Sequence, residues 1–152
     1  MAISNSTTRI SLKTLGKSII NRLENKKFIE IDSGKRTDLY EMLFKLLSKH
    51  VLTDEDLTDR VRNEISTHSD AIADQNLTET AAFQSRKKQL REQLGEHEMH
   101  GFYFQDSMRT AVLKVCSFLL ESPLIEEVYE ADDILQKSIL DTIQNFDENK
   151  IS

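Results

Sequence analysis

Two histidines near the middle of the chain have the spacing of metal ligands. His97 and His100 lie three residues apart, and Glu96 lies four residues before His100. On a continuous helix this spacing places two imidazoles and a carboxylate on one face, where they could bind Zn²⁺ or another divalent ion. Gly95 and Gly101, however, predict that the helix ends here. We therefore favour capping or solvation of both histidines, and we predict no metal and no cofactor.

The single cysteine, Cys116, is the other residue that could do covalent chemistry. A catalytic thiol needs an exposed, electropositive setting, whereas Cys116 follows Val115 on an apolar helical face. A buried structural thiol is the better interpretation, because free cysteine is among the most buried residue types. The chain also lacks a glycine-rich phosphate loop, a GxSxG elbow, a CxxC pair and an HExxH helix. These observations favour a protein without enzymatic activity.

Basic side chains form a stripe along the first predicted helix. Arg9, Lys13 and Lys17 are spaced four residues apart, so they share one helical face. Four more cations could extend this surface: Lys26, Lys27, Lys35 and Arg36. Such a surface could contact the phosphates of a nucleic acid or another anionic ligand. This function is our alternative, because the whole chain has a net charge of −6 and shows no helix-turn-helix or aromatic RNA-binding motif.

A second basic cluster and a run of three aromatic residues predict a protein-binding surface. The basic cluster is Arg86, Lys87 and Arg91, and the aromatic run is Phe102, Tyr103 and Phe104. The cluster lies on a long charged helix predicted over about residues 78–96, which has few apolar positions. Three consecutive aromatics cannot all face one core from a single helix, so we expect at least one to be exposed or to pack against the charged helix. Exposed aromatics often anchor interfaces, and a hydrophobic staple is the open alternative.

These candidate residues belong to a chain that repeats itself. Residues 15–47 and 112–143 align at an offset of 97 residues, which falls to 96 after one deletion. Ile29 then meets Ile125, and the apolar pattern continues into the following helix. Each copy has the pattern of a helix, a short extended segment and a second helix. We therefore predict two copies that each bury one face against the other.

Hydrophobic periodicity and turn signals predict helices almost throughout the chain. Thr53 is expected to cap the third helix, and Asp38-x-x-Glu41 has the form of a capping box for the second. Phe28–Ile31 is expected to be a brief strand or an extended connection, and Ser69–Asn76 a polar connection.

The predicted fold is all-α, with about six helices and pseudo-twofold symmetry, in a single domain over residues 1–152. The first copy spans about residues 10–50, the connecting helices about 51–101 and the second copy about 106–146.

Charge is distributed unevenly along the chain. Residues 1–50 carry 10 basic and 5 acidic side chains, residues 51–100 carry 6 and 11, and residues 101–152 carry 4 and 10. We interpret the basic first copy and acidic second copy as attracting each other, with opposite faces for different partners as the alternative. One cysteine and no long apolar run predict a cytoplasmic protein that makes no membrane contact.

The order of these segments resembles the bacterial DUF507 proteins. In the first half the resemblance lies in the amphipathic helix, the extended Phe28–Ile31 turn, the Leu-rich helix and the acidic start of the Thr53–Ile65 helix. In the second half it lies in Ser122–Tyr129, followed by Asp132 and Asp133. It covers about residues 10–146. This resemblance implies a bacterial, cytoplasmic, helical protein, and it transfers no active residues because the family is uncharacterised in function.

We therefore expect a non-enzymatic binding or regulatory module whose partner is a protein, which could be a second copy of the chain. Binding of nucleic acid or another anion through the basic first copy is the alternative. A metal-dependent enzyme built on His97 and His100 is the third hypothesis.

Overall fold

The computed structural model describes residues 6–148, which contain seven α-helices, five short strands and one 3₁₀ turn. In chain order the α-helices and strands are α1 (Arg9–Asn25), β1 (Ile29–Ile31), α2 (Arg36–His50), β2 (Val51–Leu52), α3 (Asp54–Thr67), α4 (Ser69–Asp74), α5 (Glu79–Leu94), β3 (Glu98–Met99), β4 (Phe102–Phe104), α6 (Met108–Glu121), β5 (Ile125–Val128) and α7 (Asp132–Gln144). The predicted single domain of 1–152 also includes residues 1–5 and 149–152, which lie outside the described range.

The fold is mostly helical, as the sequence predicts, with one α-helix more than expected. Two small sheets are present as well, which an all-α class does not include. None of the helices between residues 6 and 148 combines the length and the apolar character that crossing a bilayer requires.

Helices α1, α2, α6 and α7 enclose the main core. Helix α1 packs against α2 and α7, and α6 packs against the same two helices. Gly16 lets α1 approach α2 closely, because an added Cβ atom would lie only 3.3 Å from Leu47 Cδ1. Cys116 is buried in this core as expected, and burial raises the pKa of its thiol. The helices of both predicted copies therefore share one hydrophobic core.

Strands β1 and β5 form an antiparallel two-stranded ribbon between the two helix pairs. Ile29 lies opposite Val128, Glu30 lies opposite Glu127, and a bulge shifts the register before the next pair. Ile29 and Ile31 point into the main core while Glu30 points to solvent, as strand alternation requires. Of the two structures predicted for Phe28–Ile31, a brief strand or an extended connection, the strand is the one present, at Ile29–Ile31, and its partner is the corresponding segment of the second half.

Helices α3 and α5 pack against each other and enclose a second, smaller core. Its buried residues are Leu57, Val61, Leu90 and Tyr103. The expected polar connection at Ser69–Asn76 is wrong, because Ser69–Asp74 forms helix α4, which buried Ile72 anchors. The long charged helix ends at Leu94, two residues earlier than predicted.

Strand β4 connects the two cores because its side chains alternate between its faces. It is the central strand of a three-stranded sheet, with β2 and β3 on either side. Phe102 and Phe104 enter the main core, whereas Tyr103 enters the core between α3 and α5. The Phe102 ring packs against Phe146 at 5.5 Å between ring centroids. One short strand thus holds the connecting region of the chain on the four-helix core.

The helix starts follow the predicted capping chemistry in part. Thr53 caps α3 as the sequence predicts, and it does so in a reciprocal box with Asp56. The capping box predicted at Asp38 is wrong, because α2 begins at Arg36 and its N-cap residue, Lys35, makes no side-chain capping bond. Asp38 instead lies in the first turn, where the helix dipole favours a carboxylate.

Replacing Phe102 with Ala removes the ring that fills the main core beside Phe146. We expect the free energy of unfolding to fall by about 3–5 kcal/mol, the cost of truncating a buried aromatic side chain. Urea denaturation followed by circular dichroism measures this change. Ile10→Ala, at an exposed position on α1, is the matched control and should change stability by less than about 0.5 kcal/mol. Equal effects of the two substitutions would contradict the packing described above.

Candidate protein-binding surface

The outer face of the β1–β5 ribbon carries three exposed carboxylates. Glu30 projects from the middle of β1. The bulge in β5 leaves two consecutive residues, Glu126 and Glu127, exposed between the half-buried Ile125 and Val128. None of the three carboxylates forms an ion pair with a side chain of residues 6–148. The ribbon therefore presents negative charge that the described part of the chain does not neutralise.

Tyr129 completes this surface at the end of β5. Its side chain is 57% exposed, and its hydroxyl donates a 2.6 Å hydrogen bond to Glu30 Oε1. This bond, together with the nearby charges of Glu127 and Glu126, raises the pKa of the Tyr129 phenol. The ring thus faces solvent beside three carboxylates. We call Glu30, Glu126, Glu127 and Tyr129 the acidic ribbon face.

The acidic ribbon face contains an electrostatically unfavourable pair. Glu30 and Glu127 lie directly opposite each other across the antiparallel strands, where like charges destabilise a sheet. The pairing cannot slip by one residue without moving Ile29 and Ile31 out of the core. The fold therefore tolerates this repulsion, and a positively charged group on the face would relieve it.

The basic cluster predicted to bind a partner makes its contacts inside the chain. The Arg86 guanidinium donates to Glu64 at 2.7 Å and holds the pKa of that carboxyl below its usual range. Lys87 and Arg91 each donate to the carboxylate of buried Asp54 at 3.0 Å. These three cations therefore fasten α5 to α3.

The aromatic run is buried at all three positions, with Phe102, Tyr103 and Phe104 exposing 0%, 4% and 2% of their surface. The exposed anchor considered from the sequence is therefore absent, because strand alternation sends the rings into two different cores. The expectation that one aromatic packs against the charged helix holds for Tyr103, which shares the second core with Leu90 of α5. Burial raises the pKa of the Tyr103 hydroxyl.

Three of the seven cations in the predicted anion-binding stripe pair with carboxylates of the same chain. These pairs are Arg9 with Glu55, Asp56 and Asp59, Lys13 with Glu41, and Arg36 with Glu24. Two further ammonium groups lie over aromatic rings, Lys17 over Tyr40 and Lys26 over Phe28. Lys27 and Lys35 are exposed and form no ion pair within residues 6–148. An anion would therefore compete with internal carboxylates for much of the stripe.

The charge distribution predicted attraction between a basic first copy and an acidic second copy. These ion pairs do not join the two copies. Arg9 connects α1 to α3, in the connecting region. The pairs of Lys13 and Arg36 stay within the first copy. Within residues 6–148, the carboxylates of β5 thus form no ion pair with a cation of the first half of the chain.

The two histidines do not share a helical face. Helix α5 ends at Leu94, His97 closes a 3₁₀ turn, and His100 lies in the two-residue turn between β3 and β4. His100 adopts φ +55° there, and its Nε2 lies 2.6 Å from the carbonyl oxygen of Gln144, at the end of α7. The helical geometry on which the metal hypothesis rested is therefore wrong. Within residues 6–148, no group of three or more His, Cys, Asp or Glu side chains is arranged to hold a metal ion.

A shallow groove of about 430 Å³ lies where α3, α4 and the start of α5 meet. Its lining residues are Arg62, Ile65, Ser66, Ser69, Glu79, Thr80 and Phe83. The Arg62 guanidinium lies over the Phe83 ring at 5.9 Å. The groove is broadly open to solvent, unlike the enclosed clefts that bury most of a small ligand.

Sequence reasoning assigned no role to the acidic ribbon face. Its signals were present, because the repeat aligns Glu30 with Glu126 and the segment from Glu126 to Asp133 is rich in acidic residues. What the sequence could not supply was the pairing of two strands about 97 residues apart, which places Glu127 opposite Glu30.

Comparison with models of known protein families gives a match over nearly the whole chain. A family model described as "Protein of unknown function (DUF507)" matches residues 8–151, and the matched region includes both strands of the ribbon. No curated protein matches the chain.

Replacing Glu127 with Gln removes the charge that faces Glu30 while keeping the size of the side chain. We expect the free energy of unfolding to rise by about 0.2–1 kcal/mol at low ionic strength and neutral pH, because the cross-strand repulsion is lost. Glu126→Gln is the matched control, since the bulge leaves Glu126 without a partner directly opposite. Urea denaturation of both variants tests this, and a gain no larger for Glu127→Gln than for its control would count against the repulsion.

Proposed function

The chain belongs to the DUF507 family, and we propose that it is a non-enzymatic binding module whose acidic ribbon face recognises a basic segment of a partner protein. The observation that carries this proposal is the cross-strand pairing of Glu30 with Glu127 beside an exposed Tyr129. Lysine or arginine side chains of a partner would neutralise carboxylates that repel each other in the free protein. Binding would thereby recover the free energy that the fold loses at this pair.

Tyr129 gives this surface a contact of a second kind. Tyrosine is enriched among the residues that dominate binding energy, because its ring supplies apolar area at low entropic cost. A guanidinium or ammonium group can also stack on the ring while it approaches the neighbouring carboxylates. The hydrogen bond to Glu30 orients the ring before a partner arrives. Charge and apolar contact therefore favour the same basic partner.

A different protein fits this role better than a second copy of the chain. Arg9, Lys13 and Arg36 already pair with carboxylates of their own molecule. A second copy could offer only cations outside those pairs, such as Lys27 and Lys35, and its net charge of −6 opposes its approach to a negative surface. A basic partner with unpaired lysines or arginines meets no such opposition.

We also infer that the ribbon joins two copies of one helix–strand–helix unit, α1–β1–α2 and α6–β5–α7. Asp32 N–H donates to the carbonyl of Leu124 at 2.9 Å, and Tyr129 N–H donates to the carbonyl of Phe28 at 2.8 Å. The two accepting residues, Phe28 and Leu124, are equivalent positions when the two halves of the sequence are aligned. The two donating residues also correspond, because Asp32 directly follows β1 and Tyr129 directly follows β5. A twofold axis would therefore exchange the two bonds. Duplication would also explain why two Ile-Glu dipeptides come together on one surface.

A cytoplasmic location is part of this proposal. It is supported by the single buried thiol of Cys116, which suits a reducing compartment where structural disulfides are rare.

Fluorescence anisotropy with a labelled lysine-rich peptide and a labelled single-stranded oligonucleotide tests the proposed function. We expect the protein to bind the peptide, to bind it more weakly as ionic strength rises, and to leave the oligonucleotide unbound. The double variant Glu126→Lys with Glu127→Lys should weaken peptide binding by about tenfold or more.

The matched control is Glu92→Lys with Glu96→Lys, which changes the net charge equally at exposed positions elsewhere. Equal losses of peptide affinity in the two double variants would mean that binding depends on net charge alone, and would contradict recognition by the acidic ribbon face. Binding of the oligonucleotide in preference to the peptide would contradict the proposal and would support the alternative function, binding of nucleic acid through the basic first copy.

A further inference from the structure

We propose that the basic segment binds in an extended conformation, as a third strand along the open edge of β5. This inference rests on the proposed function, because it specifies how a basic partner would engage the acidic ribbon face. Addition of a strand supplies backbone hydrogen bonds, which fix the orientation of the partner, while alternate side chains provide specificity.

The backbone of β5 has an edge available for this pairing. Within residues 6–148 this sheet consists of β1 and β5, so β5 has a ladder partner on one side. Tyr129 N–H points toward β1, where it donates to the carbonyl of Phe28. Because backbone groups alternate along a strand, the N–H and C=O of Val128 point to the opposite edge. A partner strand could pair with these groups.

Side-chain burial differs between the two strands. Ile29 and Ile31 of β1 are buried, whereas Ile125 and Val128 of β5 are half-buried. The inward face of β5 therefore keeps apolar surface that the ribbon and helices do not cover. A third strand beside β5 would bury part of it, which adds a hydrophobic contribution to the charge contacts.

The two faces of β5 define the chemistry of the segment that fits. On the outer face a partner strand would lie beside Glu126 and Glu127, so lysine or arginine is favoured at every second position. On the inner face it would lie beside Val128, so β-branched or other apolar residues are favoured there. The partner segment is therefore expected to alternate two kinds of residue, with lysine or arginine at one position and an apolar or β-branched residue at the next.

The same carboxylates disfavour a second copy in this position. Antiparallel pairing of β5 with β5 of another molecule would bring Glu126 and Glu127 close to identical side chains. Charged residues commonly protect an edge strand from unwanted pairing. Here the protection is selective, because negative charge repels another acidic strand and attracts a basic one.

Two peptides of equal charge test the strand mode. One alternates Lys with Thr, and the other alternates Lys with Pro, which lacks the backbone N–H at every second position and cannot form a regular ladder. We expect the Lys–Thr peptide to bind the full-length chain about tenfold or more tightly, because only this peptide can add the ladder hydrogen bonds. Equal affinities would overturn strand addition while leaving charge recognition intact. Failure of both peptides to bind would overturn the proposed function as well.

Hydrogen exchange gives a second readout that charge alone would not change. Bound Lys–Thr peptide should slow exchange of the Val128 amide by about tenfold or more. The Tyr129 amide is the internal control, because it is already bonded to Phe28 in the free protein. An unchanged exchange rate at Val128 when the peptide is bound would contradict the pairing.

Discussion

The antiparallel pairing of β1 with β5 is the interaction on which the rest of the structure depends. Strands of three and four residues are too short to persist alone, and a two-stranded ribbon needs helices to support it. Here the helices of both halves bury Ile29 and Ile31 beneath the ribbon. The apolar side of the pairing thus fixes the register, and the register places Glu30 opposite Glu127 on the other side. The register of β1 with β5 therefore determines both the apolar packing beneath the ribbon and the position of the acidic ribbon face.

The connecting region is held to this framework by hydrogen bonds and by ion pairs between α3 and α5. The hydroxyl of buried Thr7 donates to Gly101 O at 2.6 Å and accepts from Asp54 N–H at 2.9 Å, which joins the start of the chain to α3 and to the β3–β4 turn. Asp54 in turn holds Lys87 and Arg91 of α5. Lys87 and Arg91 therefore stabilise the packing of α5 on α3, whereas the carboxylates of the ribbon form no ion pair within residues 6–148. Our proposal that the ribbon binds a partner rests on its like charges, Glu30 and Glu127, which face each other without a cationic partner in the described structure.

Local patterns predicted the long elements of this fold and failed for the short ones. Helices α1, α3, α6 and α7 were recognisable because of their apolar spacing, and a Thr or Ser cap lies at the start of the first three. Strand β4 was missed because its neighbour β2 lies about 50 residues earlier and contributes only two residues. Helix α4 was missed because it has only six residues, of which one, Ile72, is buried.

Site residues were harder to predict because charge pairing is not local. Arg86 and Arg91 have the composition of an exposed basic cluster, yet their partners lie 22 and 37 residues away in sequence. The acidic character of β5 was visible in the sequence. Its meaning depended on which cations reach it, and that is decided by packing.

The most direct test of the central claim is the mapping of amide chemical shifts in the isotope-labelled protein during titration with a lysine-rich peptide. If the peptide binds the acidic ribbon face, we expect saturable chemical-shift changes confined to residues 29–31 and 125–130. The amide shifts of α5 and of the outer face of α1 should stay unchanged. Shifts concentrated on α1 and α2, or spread evenly over the acidic residues of the chain, would contradict binding at the acidic ribbon face.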